Sequence, residues 1–165
     1  MNVQCTGLSS RPHPVLSWVQ TTQDVEIIRP HIKLLCGDYL CYDFLCHDPH
    51  CRLCSSLSGH TGPVEDIEHI LTKCLATSDT REDRLVILMN TIAYPCSDNN
   101  ILLTQSSKVL TQFILDCSSL NLPNDMRISP DHPAFTDITR QCSYYVHAIH
   151  RDRKRQLKNL GLLDK

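Results

Sequence analysis

Cys51-Arg52-Leu53-Cys54 and, after fourteen intervening residues, His69-Ile70-Leu71-Thr72-Lys73-Cys74 set three thiols and an imidazole in the order C-x2-C, H-x4-C. A two-residue gap lets a tight turn aim both sulfurs at one point, and a His and a Cys at a helix end can complete a tetrahedral zinc site. The spacing therefore predicts one structural zinc held by Cys51, Cys54, His69 and Cys74. Residues five apart on an ideal helix point about 140° away from each other, at about 100° per residue. The last turn must widen, or Cys74 must lie at a frayed end. His60 is the rival imidazole, through C-x2-C-x5-H. Cys36, Cys41, Cys46, His47 and His50 precede the motif, but nothing after Cys74 supplies a matching half for an interleaved second site. They read as core cysteines and a solvated loop.

Around this motif the pattern is mostly helical. Pro30 favours a first helical turn, so a helix is expected from Pro30 to about Cys36, ended by Gly37, with a weak alternation from Asp38 to Leu45. Pro63 with Glu65 and Asp66 announces a helix over about 63–76, with Val64, Ile67, Leu71 and Leu75 as its apolar stripe. Asp79-Thr80-Arg81-Glu82 has the form of a capping box for the next helix, whose buried face is Leu85, Leu88, Met89 and Ile92 and whose stop is Pro95. Ser97 or Asp98 is expected to cap a third helix carrying Leu102, Val109, Leu110, Phe113, Ile114 and Cys117. After an irregular, proline-containing connection, Thr136 or Asp137 opens a last helix with Ile138, Cys142, Tyr145, Val146 and Ile149 on one face, closed by Gly161.

The chain has 165 residues and only 5% aromatics, so a small helical domain stapled by one CCHC zinc site is expected rather than a large compact core. Three parts follow: a loose arm over residues 1–22, a zinc-binding helical module over 23–96, and a helical extension over 97–165 with a basic end. Met1 to Gln20 has no long apolar stretch behind a basic start, and no apolar run reaches membrane-spanning length. Free thiols as ligands or core fillers imply a reducing compartment, nuclear or cytoplasmic, and no membrane partner.

A net charge of −2 makes no global case for nucleic acid, but Arg151, Arg153, Lys154, Arg155 and Lys158 crowd the last helix against the single acid Asp152. With Arg52, Lys73, Arg81 and Arg84 beside the motif, these are the candidate phosphate contacts. Catalytic motifs are missing from the letters. No H-x-E precedes a P-C-x-x-C, no G-x-x-x-x-G-K occurs, and no family signature surrounds any of the ten cysteines.

Cys51-Arg52-Leu53-Cys54, the acidic pair Glu65-Asp66, His69-Ile70-Leu71, Cys74 and a following arginine, Arg81 or Arg84, together resemble the zinc-binding tail of reverse transcriptases from non-LTR, LINE-type retrotransposons. Leu34-Leu35-Cys36-Gly37-Asp38-Tyr39-Leu40 is similar to the segment leading into that tail, and Phe113 to Pro123 is similar to the end of such reading frames. The likeness spans about residues 25 to 160. It implies a non-catalytic accessory that binds RNA or DNA with low specificity, beside the polymerase portion of a parent protein. The polymerase Tyr-x-Asp-Asp is absent. From a different class, a zinc-stapled protein-interaction module or a non-functional fragment of a decayed element fits the same letters.

Overall fold

A computed structural model describes residues 14–16, 18–36, 49–93 and 101–162. Among the described residues five α-helices carry the fold: α1 Thr22–Leu35, α2 Arg52–Ser58, α3 Ser78–Ile92, α4 Ser107–Leu115 and α5 Phe135–Asn159. A π-helical turn, His69–Lys73, and a 3-10 turn, Leu75–Thr77, join α2 to α3. Pairing between extended segments is limited, among the described residues, to an isolated antiparallel bridge of His50 with Val64. The mostly helical architecture expected from the sequence is the one observed.

α5 is the axis. At about 1.5 Å per residue its twenty-five residues run for about 37 Å, and α1, α3 and α4 all pack on it. Its predicted face of Ile138, Cys142, Tyr145, Val146 and Ile149 is buried against Phe113 and Ile114 of α4, Leu88 and Ile92 of α3, and Ile70 and Leu71 of the π-turn. The core is larger than the low aromatic content suggested, because Ile and Leu build most of it. α5 starts at Phe135, within a turn of the expected Thr136 or Asp137, and Gly161 closes it in the left-handed region at φ 67°.

Three expectations about helix starts are corrected. α1 begins at Thr22, not Pro30: Thr21 and Asp24 form a reciprocal capping box, with the Asp24 amide donating to Thr21 Oγ1 at 3.2 Å and the Thr21 amide donating to Asp24 Oδ2 at 2.9 Å. Pro30 therefore lies inside the helix, where it cannot bond the Glu26 carbonyl; the His147 imidazole of α5 bonds that carbonyl instead. The helix expected from Pro63 starts only at Ile67, because Pro63 and Val64 are drawn into extended pairing, with the Cys51 amide donating to the Pro63 carbonyl at 2.8 Å. Its expected stripe fails at both ends, since Val64 is 57% and Leu75 67% exposed. α3 begins at Ser78 without a side-chain cap, growing directly from the 3-10 turn, so Asp79 sits in the first turn and Thr80 donates to Asp152 of α5 at 2.8 Å.

α4 starts at Ser107, capped by Ser106 Oγ accepting from the Val109 amide at 3.4 Å, and Leu102 is buried in the turns before it. Ser97, Asp98, Pro95 and the Asp38 to Leu45 alternation lie outside the described residues, as do residues 1–13 and 17 of the arm. The rest of the arm is packed: Val15 and Trp18 are buried with Ile27 and Ile28, and Trp18 stacks on Tyr144 with ring centroids 6.2 Å apart. His31, also buried, ties α1 inward by donating from Nε2 to the Leu115 carbonyl at 3.1 Å and pairing Nδ1 with Ser143 Oγ at 3.1 Å.

Candidate metal centre

Two segments deliver two candidate ligands each. Cys51 precedes α2 and Cys54 lies in its first turn, so the two sulfurs of C-x2-C rise on one side of a tight turn. Gly59 ends that helix in the left-handed region at φ 70°. The chain then returns so closely that a Cβ on Gly62 would stand 2.5 Å from the Cys51 carbonyl oxygen. Ser55 Oγ clasps both strands of this return, donating to the Cys51 carbonyl at 3.0 Å and accepting from the Gly62 amide at 2.8 Å.

Asp66 then caps the turn that carries His69, its Oδ1 accepting the His69 amide at 2.6 Å. From His69 the helix widens. The Cys74 amide donates to the His69 carbonyl at 2.8 Å, a five-residue span, so of the two arrangements H-x4-C allows the last turn widens rather than frays. Thus His69 and Cys74 come to one side of the turn although an ideal α-helix would hold them apart.

Irregular backbone needs its polar groups satisfied. Side chains of α3 and α5 supply the donors: Tyr145 Oη to the Leu71 carbonyl at 2.7 Å, Arg81 Nη1 to Cys74 at 2.8 Å, and Gln156 Nε2 to Ala76 at 2.6 Å. The segment holding half of the ligands is thereby fixed from outside itself.

The Cys51, Cys54 and Cys74 sulfurs and an imidazole nitrogen of His69 all lie within 4.8 Å of one another, and all four residues are buried. A zinc tetrahedron with Zn–S of about 2.3 Å and Zn–N of about 2.0–2.1 Å has S···S edges of about 3.8 Å and S···N edges of about 3.6 Å. Here Cys51 Sγ to Cys74 Sγ is 3.9 Å, Cys54 Sγ to Cys74 Sγ is 3.7 Å, and Cys54 Sγ to His69 Nε2 is 3.6 Å. The donor set is soft and tetrahedral, which suits zinc and not the hard, oxygen-seeking Mg²⁺ or Ca²⁺. His60 is exposed and stands outside the cluster.

The thiols here differ from those in the apolar core. The Cys51–Cys74 hydrogen bond holds the Cys51 thiol far below its ordinary range and pushes Cys74 up, so the pair shares a proton that a cation would displace. In contrast, burial above all, with the Asp116 charge adding to it, lifts Cys117 to about 12 and Cys142 well above the usual thiol value. Those two are inert filling. All six described cysteines are free thiols.

The basic residues divide into three sets. Arg153 is turned inward rather than toward solvent: its Nη2 pairs with Glu65 Oε1 at 2.6 Å and its Nη1 lies 3.6 Å from Cys74 Sγ and 3.8 Å from Cys51 Sγ. Arg81 holds the Cys74 carbonyl, and Lys73 pairs with Glu68 at 2.6 Å. Arg84, Arg151 and Arg155 line one cleft of about 480 Å³ between α3 and α5, together with Tyr144 and His147. Burial first, then the charges of Arg151 and Arg84, depress the His147 pKa. Arg155 is also paired with Asp152 at 2.5 Å. Lys154 and Lys158 are exposed on α5, and Arg52 is half-buried at the start of α2. The inward turn of Arg153 escaped sequence reading because its neighbours in the basic run face solvent. Its one available signal was position: Ile149, Arg153 and Leu157 continue the buried stripe at a spacing of four.

Fold and site define a helical domain built against a buried three-cysteine, one-histidine cluster able to hold a metal ion. No family model, curated protein or solved structure matches the chain. Among the described residues no helix is long and apolar enough to cross a membrane.

Proposed function

We propose that this chain is a zinc-stapled helical module that binds RNA or DNA with low sequence specificity, as a non-catalytic accessory like the C-terminal tail of a LINE-type reverse transcriptase. The observation that carries the zinc part is the ligand geometry: C-x2-C and H-x4-C converge at tetrahedral edge lengths, with the π-turn accommodating the second pair. Four protein ligands leave no open position for water or substrate, so zinc organises the fold and no reaction is assigned to it. A reducing compartment, nuclear or cytoplasmic, keeps the thiols available.

Support for an anionic partner comes from the α3–α5 cleft. Arg84, Arg151 and Arg155 against Asp152 leave a net +2 there (3 − 1) in a protein of net charge −2, and Tyr144 lines the same cleft. Exposed Lys154 and Lys158 extend the charge along α5. Backbone phosphates fit such a surface, which carries no pattern for reading bases. The polymerase portion of a parent protein is the natural neighbour in this reading.

The competing reading, a zinc-stapled protein-interaction module or a remnant without nucleic-acid function, draws on Leu57, Val64 and Leu75, three exposed aliphatic residues in the segments around the metal centre. A salt titration of fluorescence anisotropy with a labelled single-stranded RNA separates the two. Nucleic-acid binding gives a log–log slope of several units, which Arg84→Gln with Arg151→Gln reduces by about 1.4, at about 0.7 per phosphate contact. A slope near zero, or no binding at low salt, overturns the nucleic-acid role and favours the interaction module.

A further inference from the structure

Arg153 distinguishes among the three sulfurs of the metal centre. Its side chain is 5% exposed and is gripped by Glu65, itself 8% exposed, which aims Nη1 between Cys51 Sγ and Cys74 Sγ. Cys51 Sγ also receives the Cys54 amide. The neighbours of Cys54 Sγ are Cys74 Sγ and His69 Nε2, two atoms that would themselves be metal ligands, and among the described residues no N–H is seen to reach the Cys54 sulfur. Cys54 is also the least covered of the three, at 4% exposed against 0% for Cys51 and Cys74.

Hydrogen bonds from a cationic donor withdraw electron density from a thiolate and hold it in place, which lowers its nucleophilicity. Two of the three thiolates have this protection. We infer that Arg153 is a positioning residue of the metal centre and that Cys54 is the modification site through which a soft electrophile opens it. With a maleimide, the Cys54 sulfur attacks an alkene carbon, a C–S bond forms as the C=C π bond breaks, and the resulting enolate carbon takes a proton from water. The Cys54–zinc bond breaks in the same event. Three remaining ligands then hold the ion too weakly against a chelator. No oxidant or reductant is required.

This inference rests on the zinc reading, and one experiment separates the two. The full chain is loaded with zinc and treated with N-ethylmaleimide beside a chromophoric chelator, and modified peptides are mapped by mass spectrometry over time. Among the four ligands Cys54 is expected to be modified first, in step with zinc release, while the exposed Cys36 reacts without releasing zinc. Arg153→Gln is expected to speed release by about tenfold, the scale of losing a charge-assisted hydrogen bond, and to bring Cys51 and Cys74 into the early-modified set. Arg153→Lys should restore part of the protection. In cobalt-loaded protein, Arg153→Gln should shift the thiolate-to-metal charge-transfer bands while the tetrahedral ligand-field bands keep their intensity. The inference is overturned if Cys51 or Cys74 is modified before Cys54 in the unaltered chain, or if zinc-loaded Arg153 variants release the ion at the unaltered rate. Should the variants fail to fold, the order of modification in the unaltered chain decides by itself. A chain that takes up no zinc overturns the zinc reading and this inference together.

Discussion

The two halves of α5 face different interiors. Its first four turns press Ile138, Cys142, Tyr145, Val146 and Ile149 into a core of twenty buried residues, nearly all aliphatic or aromatic. Its last turns present Arg153 and Leu157 to a cluster of five, in which only Leu53 and Leu157 are not cysteines. The first region gains its stability from apolar area, spread over many contacts, and loses it a few kcal/mol at a time. The second has little apolar area, so on the zinc proposal its stability is concentrated in the four candidate ligand atoms. On that proposal one helix joins a region that degrades gradually to one that is nearly all-or-none.

The sharpest way to break this comparison is to withhold the ion. Chelation, or Cys74→Ser, should remove amide hydrogen-exchange protection from residues 51–77 and leave protection over residues 135–150 largely intact. Loss of protection everywhere at once would show that the two regions form one cooperative unit.

Attacking the other region should do the reverse. Phe113→Ala, at a fully buried position, should cost about 3–5 kcal/mol in global unfolding while metal stoichiometry in the folded fraction stays the same. Denaturant titration with a metal assay on the same samples checks it.

Between them lies the link. Tyr145→Phe removes the donor to the Leu71 carbonyl and leaves that oxygen buried beside the π-turn, at a cost of about 1–3 kcal/mol. Weaker metal affinity in this variant would sharpen the coupling, whereas affinity unchanged would place the hydrogen bond wholly on the apolar side. Gly62→Ala tests the knuckle alone, since the added Cβ meets backbone at 2.5 Å; metal affinity should fall while the main core keeps its exchange protection.

The smallest expected effect is a titration. Burial above all, then the nearby His147 and Lys154, holds His150 down to about 4, below the unfolded-state value of about 6.5. The unfolded chain therefore binds the proton first as pH falls, so stability is full above about 6.5 and declines toward about 4. His150→Gln should flatten that part of the pH dependence measured by thermal unfolding.

Much of this division was legible in the letters. The C-x2-C and H-x4-C spacing located all four members of the cluster, and of the two arrangements the angular mismatch of H-x4-C left open, a widened last turn or a frayed end, the Cys74 to His69 bond provides the first. The α5 stripe was legible because a long amphipathic helix repeats its signal many times. What failed was local grammar overridden by tertiary contact. Pro63 before two acids has the form of a helix start, yet its carbonyl is taken by the Cys51 amide, a tertiary contact that the local letters do not carry. Pro30 looked like a start because a mid-helix proline strands a carbonyl, and nothing local reveals that His147, more than a hundred residues away, bonds it. Arg153 was hidden inside a charge run whose other basic members face water.

The most direct measurement is the mass of the folded chain under native conditions, taken after purification without added chelator and again for Cys54→Ser. The account predicts one zinc per chain in the first and none retained in the second, with exchange protection over residues 51–77 present only when the ion is. A monodisperse, metal-free chain showing that same protection would contradict it.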